Sequence, residues 1–342
     1  LIPEDAKIAE IKFDPVFNEV VIEALKPGLV IGKGGSVLKQ IILNTGWSPR
    51  ILRAPTSPSE VEKAVRNSMI VNAEERKKFL NTLGKKLLQP STGCEWIKIT
   101  MLGGFKEVGR SCTLLQTPKS NVLIDCGMNS DTSDNSRSFP YLNALGQTLE
   151  KIDAVILTHA HLDHSGFIPY LYAYGYDGPV YCTPPTRDLI MLLQQDAIKV
   201  LNFEGKGAPY SEKDVKKELA HIITRDYGEV TDITPDIRFT FHNAGHILGS
   251  SIVHLHIGEG LHNLVITGDI KYGKTNLFNP ADTFFPRVET LMIESTYGGR
   301  NDLLPNIDDC EMKLANIIKQ TAANRGKVLV PVFAVGRAQE MM

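Results

Sequence analysis

At 342 residues the chain exceeds one ordinary hydrophobic core, so two or more domains are expected. Its 42% hydrophobic and 22% charged residues fit a globular protein and exclude a disordered or fibrous one. The net charge of −2 gives no global case for nucleic acid, but residues 1–90 hold 14 Lys/Arg against 10 Asp/Glu and the remainder 23 against 29, which suggests two modules with different tasks.

No apolar run approaches the roughly 20 residues of a membrane span, and no signal peptide opens the chain, so no membrane association is expected. Leu1 in place of Met points to further sequence upstream. The five cysteines (94, 112, 126, 182 and 310) are scattered, with no C-x-x-C pair. That speaks against a disulfide framework and for the reducing cytoplasm.

In chain order, AEIKF and EVVIEA alternate apolar and polar residues, as half-buried strands do, and Asp14-Pro15 joins them. Ile31-Gly32-Lys33-Gly34-Gly35 follows, and Val37, Ile41 and Ile42 then recur at helical spacing before Gly46, placed to end the helix. Residues 51–54 suit a further strand, with Pro55 and Pro58 as punctuation. Residues 59–89 read as helix with a basic cluster, RKKFLNTLGKK. A break at 90–93 separates this front from apolar strands such as WIKITML, CTLLQT, NVLIDCG, AVILTHA and LVITGDI. Their alternation with loops and helices suits an α/β sandwich. A polar stretch at 129–138 is the only Ser/Asp-rich one.

The richest segment is Ala154-Val-Ile-Leu-Thr-His-Ala-His-Leu-Asp-His164. An apolar strand runs into a loop bearing His159, His161, Asp163 and His164, the nitrogen and oxygen donors zinc takes where thiolates are absent. His159 and His161, at i and i+2 on extended backbone, point the same way and can grip one ion. Asp163 and His164 can face a second, and paired ions would clamp both oxygens of a displacement. Asn243-Ala-Gly-His246, Ile266-Thr-Gly-Asp269 and Val122-Leu-Ile-Asp125 end other strands and offer further ligands, or a carboxylate supporting one from behind. His254 and His256, mid-strand, read as structural, as do His221, His242 and His262.

These residues resemble the metallo-β-lactamase superfamily, with Asp125 as its first motif, His159-x-His161-x-Asp163-His164 as its second, His246 as its third and Asp269 as its fourth. By that resemblance His159, His161 and His246 hold one zinc, Asp163 and His164 hold another, and Asp269 bridges them. Glu294-Ser-Thr-Tyr-Gly298 resembles the acidic motif of the β-CASP nucleases, whose Glu orients a catalytic His. The segment from Pro331 to Glu340 resembles part of their inserted domain. The implied catalytic carboxylates are Asp125, Asp163, Asp269 and Glu294. Members carry two more histidines beyond that insertion, one a zinc ligand and one the general acid, so the sequence ending at Met342 is expected to be a fragment.

Gly32, Lys33, Gly34 and Gly35 supply the G-x-x-G loop of a KH domain. Glycine lets backbone N–H groups approach phosphates, Lys33 adds charge, and the following helix N-terminus favours an anion. Such loops clamp about four nucleotides of single strand. A KH domain ahead of a β-CASP nuclease resembles the archaeal homologues of the cleavage and polyadenylation specificity factor nuclease. That family carries two KH modules and is also described as transcription termination factors.

The expected fold is α/β. A small α+β KH domain over 1–68 and a helical linker over 69–94 precede the N-terminal part of an αββα metallo-β-lactamase sandwich over 95–302. The start of a truncated β-CASP domain follows over 303–342. The expected function is zinc-dependent cleavage of single-stranded RNA near transcript 3′ ends, in 3′-end processing and transcription termination, with two Zn2+ per site. The resemblance further implies a homodimer and contact with the transcription machinery. Alternatives are a non-catalytic RNA-binding subunit, against which the intact ligand set speaks, and a small-molecule hydrolase of the same fold, against which Glu294-Ser-Thr-Tyr and the KH module speak.

Overall fold

The computed structural model describes the chain apart from residues 58, 91, 92, 130, 131 and 133, residue 304, and the side chain of 135. Pro58, the centre of the 90–93 break and part of the 129–138 stretch therefore lie outside the described residues.

The front folds as a small α+β unit. Strand β1 (Ile8–Asp14) pairs antiparallel with β2 (Glu19–Ala24). Helices α1 (Pro27–Ile31) and α2 (Ser36–Thr45) follow, and β3 (Ser48–Arg53) returns parallel beside β2. Alternation on β2 turns Val20 and Ile22 into a core with Ala6, Ala24, Val30 and Ile41. Gly46, with φ 73°, ends α2 where the sequence predicts.

The stretch 59–89 is two helices, α3 (Glu60–Val71) and α4 (Ala73–Leu87), broken at Asn72. Ser59 caps α3 by accepting from the Glu62 N–H. Both helices touch the front unit: Arg66 pairs with Glu23, Lys12 Nζ donates to Asn67 (2.9 Å) and Lys77 Nζ to the Val16 carbonyl (2.8 Å). They also pack onto the body. Val61, Val65 and Met69 of α3 join one of its hydrophobic clusters, and Phe79, Leu80, Leu83 and Leu87 of α4 join the other. Arg76 of α4 donates to the Ala220 carbonyl at 2.8 Å. The segment expected as a linker thus helps build the core of its neighbour.

The body contains two sheets. The first is formed by β4 (Lys98–Gly103), β5 (Cys112–Gln116), β6 (Asn121–Ile124), β7 (Ala154–Ile156), β8 (Val180–Cys182) and β9 (Ile222–Thr224), in that spatial order. Strands β6 to β9 run parallel. Between them lie α5 (Leu162–Ser165), α6 (Ile168–Ala173), α7 (Pro184–Phe203) and α8 (Glu212–His221). The second sheet is the antiparallel run β10 (Val230–Thr234), β11 (Ile237–Asn243), β12 (Ser251–Ile257) and β13 (His262–Ile266), with β14 (Thr290–Met292) added parallel to β13.

Between the sheets lies an apolar layer of Val122, Ile124, Ile156, Phe239, Phe241, Leu255 and Leu264. The other face of the first sheet buries Leu123, Val155 and Leu157 against Phe167, Ile168, Leu171 and Ile190. Each fully buried side chain of this size contributes about 1.5–3 kcal/mol. Beyond β14 come α9 (Ile307–Ala323), with no buried residue, and α10 (Arg337–Met341). Among the described residues no helix is long and apolar enough to cross a membrane.

Candidate metal centre

The chemistry-bearing residues gather where strands of both sheets end. Asp125 follows β6, His159 and His161 leave β7, His246 follows β11, Asp269 follows β13 and Glu294 follows β14. Parallel β6 and β7 deliver Asp125 and the histidine loop to the same edge, while β13 and β14 deliver Asp269 and Glu294 opposite. Gly245, φ +67°, makes the bend into His246. A Cβ there would stand 2.7–2.8 Å from the Asn279 and Lys271 carbonyls and the Ala281 nitrogen, so only glycine fits.

His161 Nδ1 lies 3.2 Å from His159 Nε2 and 3.2 Å from His246 Nε2. Asp269 Oδ2 faces His246 Nε2 at 3.6 Å and His159 Nε2 at 4.0 Å. These four ligand atoms lie within 4.8 Å of one another. Nitrogens on a tetrahedral ion with arms of about 2.0–2.1 Å stand about 3.3 Å apart, so the donors fit a divalent metal in both type and spacing. The other oxygen of Asp269, Oδ1, lies 3.3 Å from His164 Nε2, which is 3.8 Å from Asp163 Oδ2. One carboxylate therefore spans both histidine groups.

Asp125 is buried and fully engaged. Its Oδ1 accepts from the Thr158 N–H (2.8 Å), and its Oδ2 accepts from the Thr158 hydroxyl (2.9 Å) and from His164 Nδ1 (2.8 Å). Because the Thr158 hydroxyl donates to Asp125, it accepts from His159 Nδ1 at 3.0 Å. His159 thereby turns a bare Nε2 toward the cluster, and His164 is held with its Nε2 facing the same way. Asp125 thus orients His164 directly and His159 through Thr158. Thr158 is a functional residue the sequence reading misses, although a hydroxyl directly before the first His was the available signal.

Burial and the neighbouring imidazoles push His159 well below its ordinary pKa and His246 down to about 4, so both rings are neutral donors near pH 7. Burial opposes charge on Asp269, but the hydrogen bond and charge of His164 outweigh it and hold that carboxyl at about 2. Burial likewise opposes charge on His164, yet Asp125 and Asp269 together raise it well above the usual value. Glu294 accepts from the Ile270 N–H (3.3 Å) and the Thr296 N–H (2.9 Å), bracing the residue after Asp269.

Away from this cluster, His254 Nε2 bonds the Arg287 carbonyl, His256 the Asn263 side chain, and His262 the Thr290 hydroxyl. In the front unit, Gly32, Gly34 and Gly35 have φ of 74°, 62° and 75°, and Lys33 is exposed. Helix α2 begins at this loop with no side-chain cap, and its first N–H, that of Ser36, bonds the Lys33 carbonyl.

The family model of the metallo-beta-lactamase superfamily matches residues 106–296. Over its full length the chain is similar to proteins named transcription termination factor FttA. It is 57% identical to that of Methanothermobacter thermautotrophicus, 52% to that of Methanosarcina mazei and 51% to that of Methanocaldococcus jannaschii. Each comparison covers 100% of this chain and 54% of the relative. The chain thus spans about half the length of the curated relatives it matches.

Proposed function

The chain belongs to the family of transcription termination factor FttA, within the metallo-beta-lactamase superfamily, and from that premise we propose that it is a zinc-dependent endoribonuclease. Its substrate is single-stranded RNA near transcript 3′ ends, and the cleavage serves 3′-end processing and termination. The observation that carries this reading is the split carboxylate of Asp269, with one oxygen toward His159 and His246 and the other toward His164. A protein that had abandoned catalysis has no need to keep a bridging acid between two ligand groups.

His159, His161, His246 and Asp269 would hold one ion, and Asp163, His164 and Asp269 a second. Zinc bound there would supply Lewis acidity at a scissile phosphate and make water acidic enough to attack near neutral pH. The chain's own residues do the rest. Asp125 and Thr158 fix the rings of His164 and His159, Glu294 fixes the turn after Asp269, and neutral His159 and His246 stand ready as donors. Gly32, Lys33, Gly34 and Gly35 serve as the phosphate-cradling loop of a KH domain and bring RNA to the protein.

The test is cleavage of an end-labelled single-stranded RNA by the protein, before chelation, after chelation and after zinc is restored. Loss and recovery of endonucleolytic products is expected. Cleavage that survives thorough chelation would overturn the proposal.

A further inference from the structure

Residues 331–336 form no helix or strand, yet they lie across the candidate centre. The Val335 carbonyl stands 3.4 Å from His161 Nε2, and the Val335 side chain packs against the cluster beneath the first sheet. Gly336 is buried, and a Cβ on it would sit 2.6 Å from Ile247 Cγ2. Ile247 is the residue after His246, so one short stretch touches one histidine of the cluster and the chain neighbour of another.

A carbonyl oxygen only accepts, so the Val335 contact requires the His161 proton on Nε2. Nδ1 is then bare, and it is Nδ1 that faces His159 and His246 at 3.2 Å. The side chain of Gln339 holds this carbonyl in place. Its Oε1 accepts from the Gly336 N–H at 2.7 Å, and its Nε2 donates to the Ala334 carbonyl at 2.9 Å. One amide thus brackets Val335 from both sides.

We propose that Gln339 is a positioning residue for the metal centre: by clamping Ala334–Gly336 it aims the Val335 carbonyl at His161 and fixes the tautomer that offers Nδ1 to an ion. This rests on the metal reading given above. The acceptor lies 174 residues from the ring it orients, so the histidine loop cannot hold this ring unaided. The stretch after α9 is therefore part of the site.

The test compares Gln339→Ala, Gln339→Glu and Glu340→Ala in the full chain. It reads two quantities: the ring-nitrogen NMR shifts of His161 without metal, and zinc affinity against a competing chelator. In wild type the shifts report a single Nε2–H tautomer. Gln339→Ala is expected to give a tautomer mixture and to weaken zinc about 10–100-fold, the usual cost of losing such an orienting partner. Gln339→Glu can still accept from Gly336 but cannot donate to Ala334, so it falls between. Glu340→Ala removes a 3.1 Å bond from the Leu277 N–H to the adjacent residue and leaves both readouts as in wild type. Wild-type shifts and affinity in Gln339→Ala, or an equal loss in Glu340→Ala, would overturn the positioning role while the metal centre stands. A wild-type chain that takes up no zinc would refute the metal centre itself, and the positioning role with it.

Discussion

Asp269 and Asp125 are both acids at strand ends, but their surroundings separate them. Asp269 turns each oxygen to a different histidine group, whereas among the described residues the Asp125 carboxylate bonds Thr158 and His164. Asp269→Asn should therefore release more metal than Asp125→Asn. The second change leaves every ligand atom in place and weakens the metal only through the orientation of His164 and, by way of Thr158, of His159, by about 10–100-fold. Zinc titration of the two metal-stripped variants distinguishes the roles, and equal or reversed losses would exchange them. That these residues gather was legible beforehand, because three histidines and an aspartate within six residues admit few other readings. Thr158 was harder, since a threonine at a strand end is ordinary until its hydroxyl is seen between an acid and a ring. Val335 was not legible at all, because it acts through a main-chain carbonyl that carries no side-chain signature.

Helix α4 shows how an element can serve two neighbours. Glu74 and Glu75 sit in its first turn and Lys85 and Lys86 in its last, matching the helix dipole, while Arg76 and Lys77 of the same basic cluster reach the body and the front unit. Leu83 is buried in the cluster that fills the space between the sheets, and Phe79, Leu80 and Leu87 pack against it. Leu83→Ala is expected to cost about 2–5 kcal/mol and to lower the melting transition of the body. A variant that melts like wild type would make α4 a mere tether. The break at Asn72 was hidden because helix formers continue on both sides, and Asn72 Nδ2 closes α3 by donating to the Ser68 carbonyl at 2.8 Å.

The glycine loop before α2 yields a prediction at the same scale. Lys33→Asp with Gly34→Asp puts negative charge where a phosphate must lie, and Gly34 has a positive φ that a side chain tolerates poorly. RNA affinity should fall and its salt dependence flatten, with zinc content unchanged. Wild-type affinity and slope in a folded variant would reduce the loop to a turn.

Across the whole molecule, one edge of a two-sheet sandwich collects residues from Asp125 to Glu294, and the stretch at 335–336 crosses back over them. That the body is a sandwich of apolar strands, several ending in His or Asp, was readable; the order in which those strands pair was not. How the front unit attaches was not, because it depends on single polar contacts such as Arg66 to Glu23 and Lys77 to Val16. The central claim is that this edge is a metal site, separable from the RNA binding proposed for the front unit. Elemental analysis of the folded His159→Ala/His161→Ala variant beside wild type tests it most directly, with RNA binding followed in the same preparations. Loss of zinc with RNA binding retained is the predicted result, and zinc content equal to wild type would contradict it.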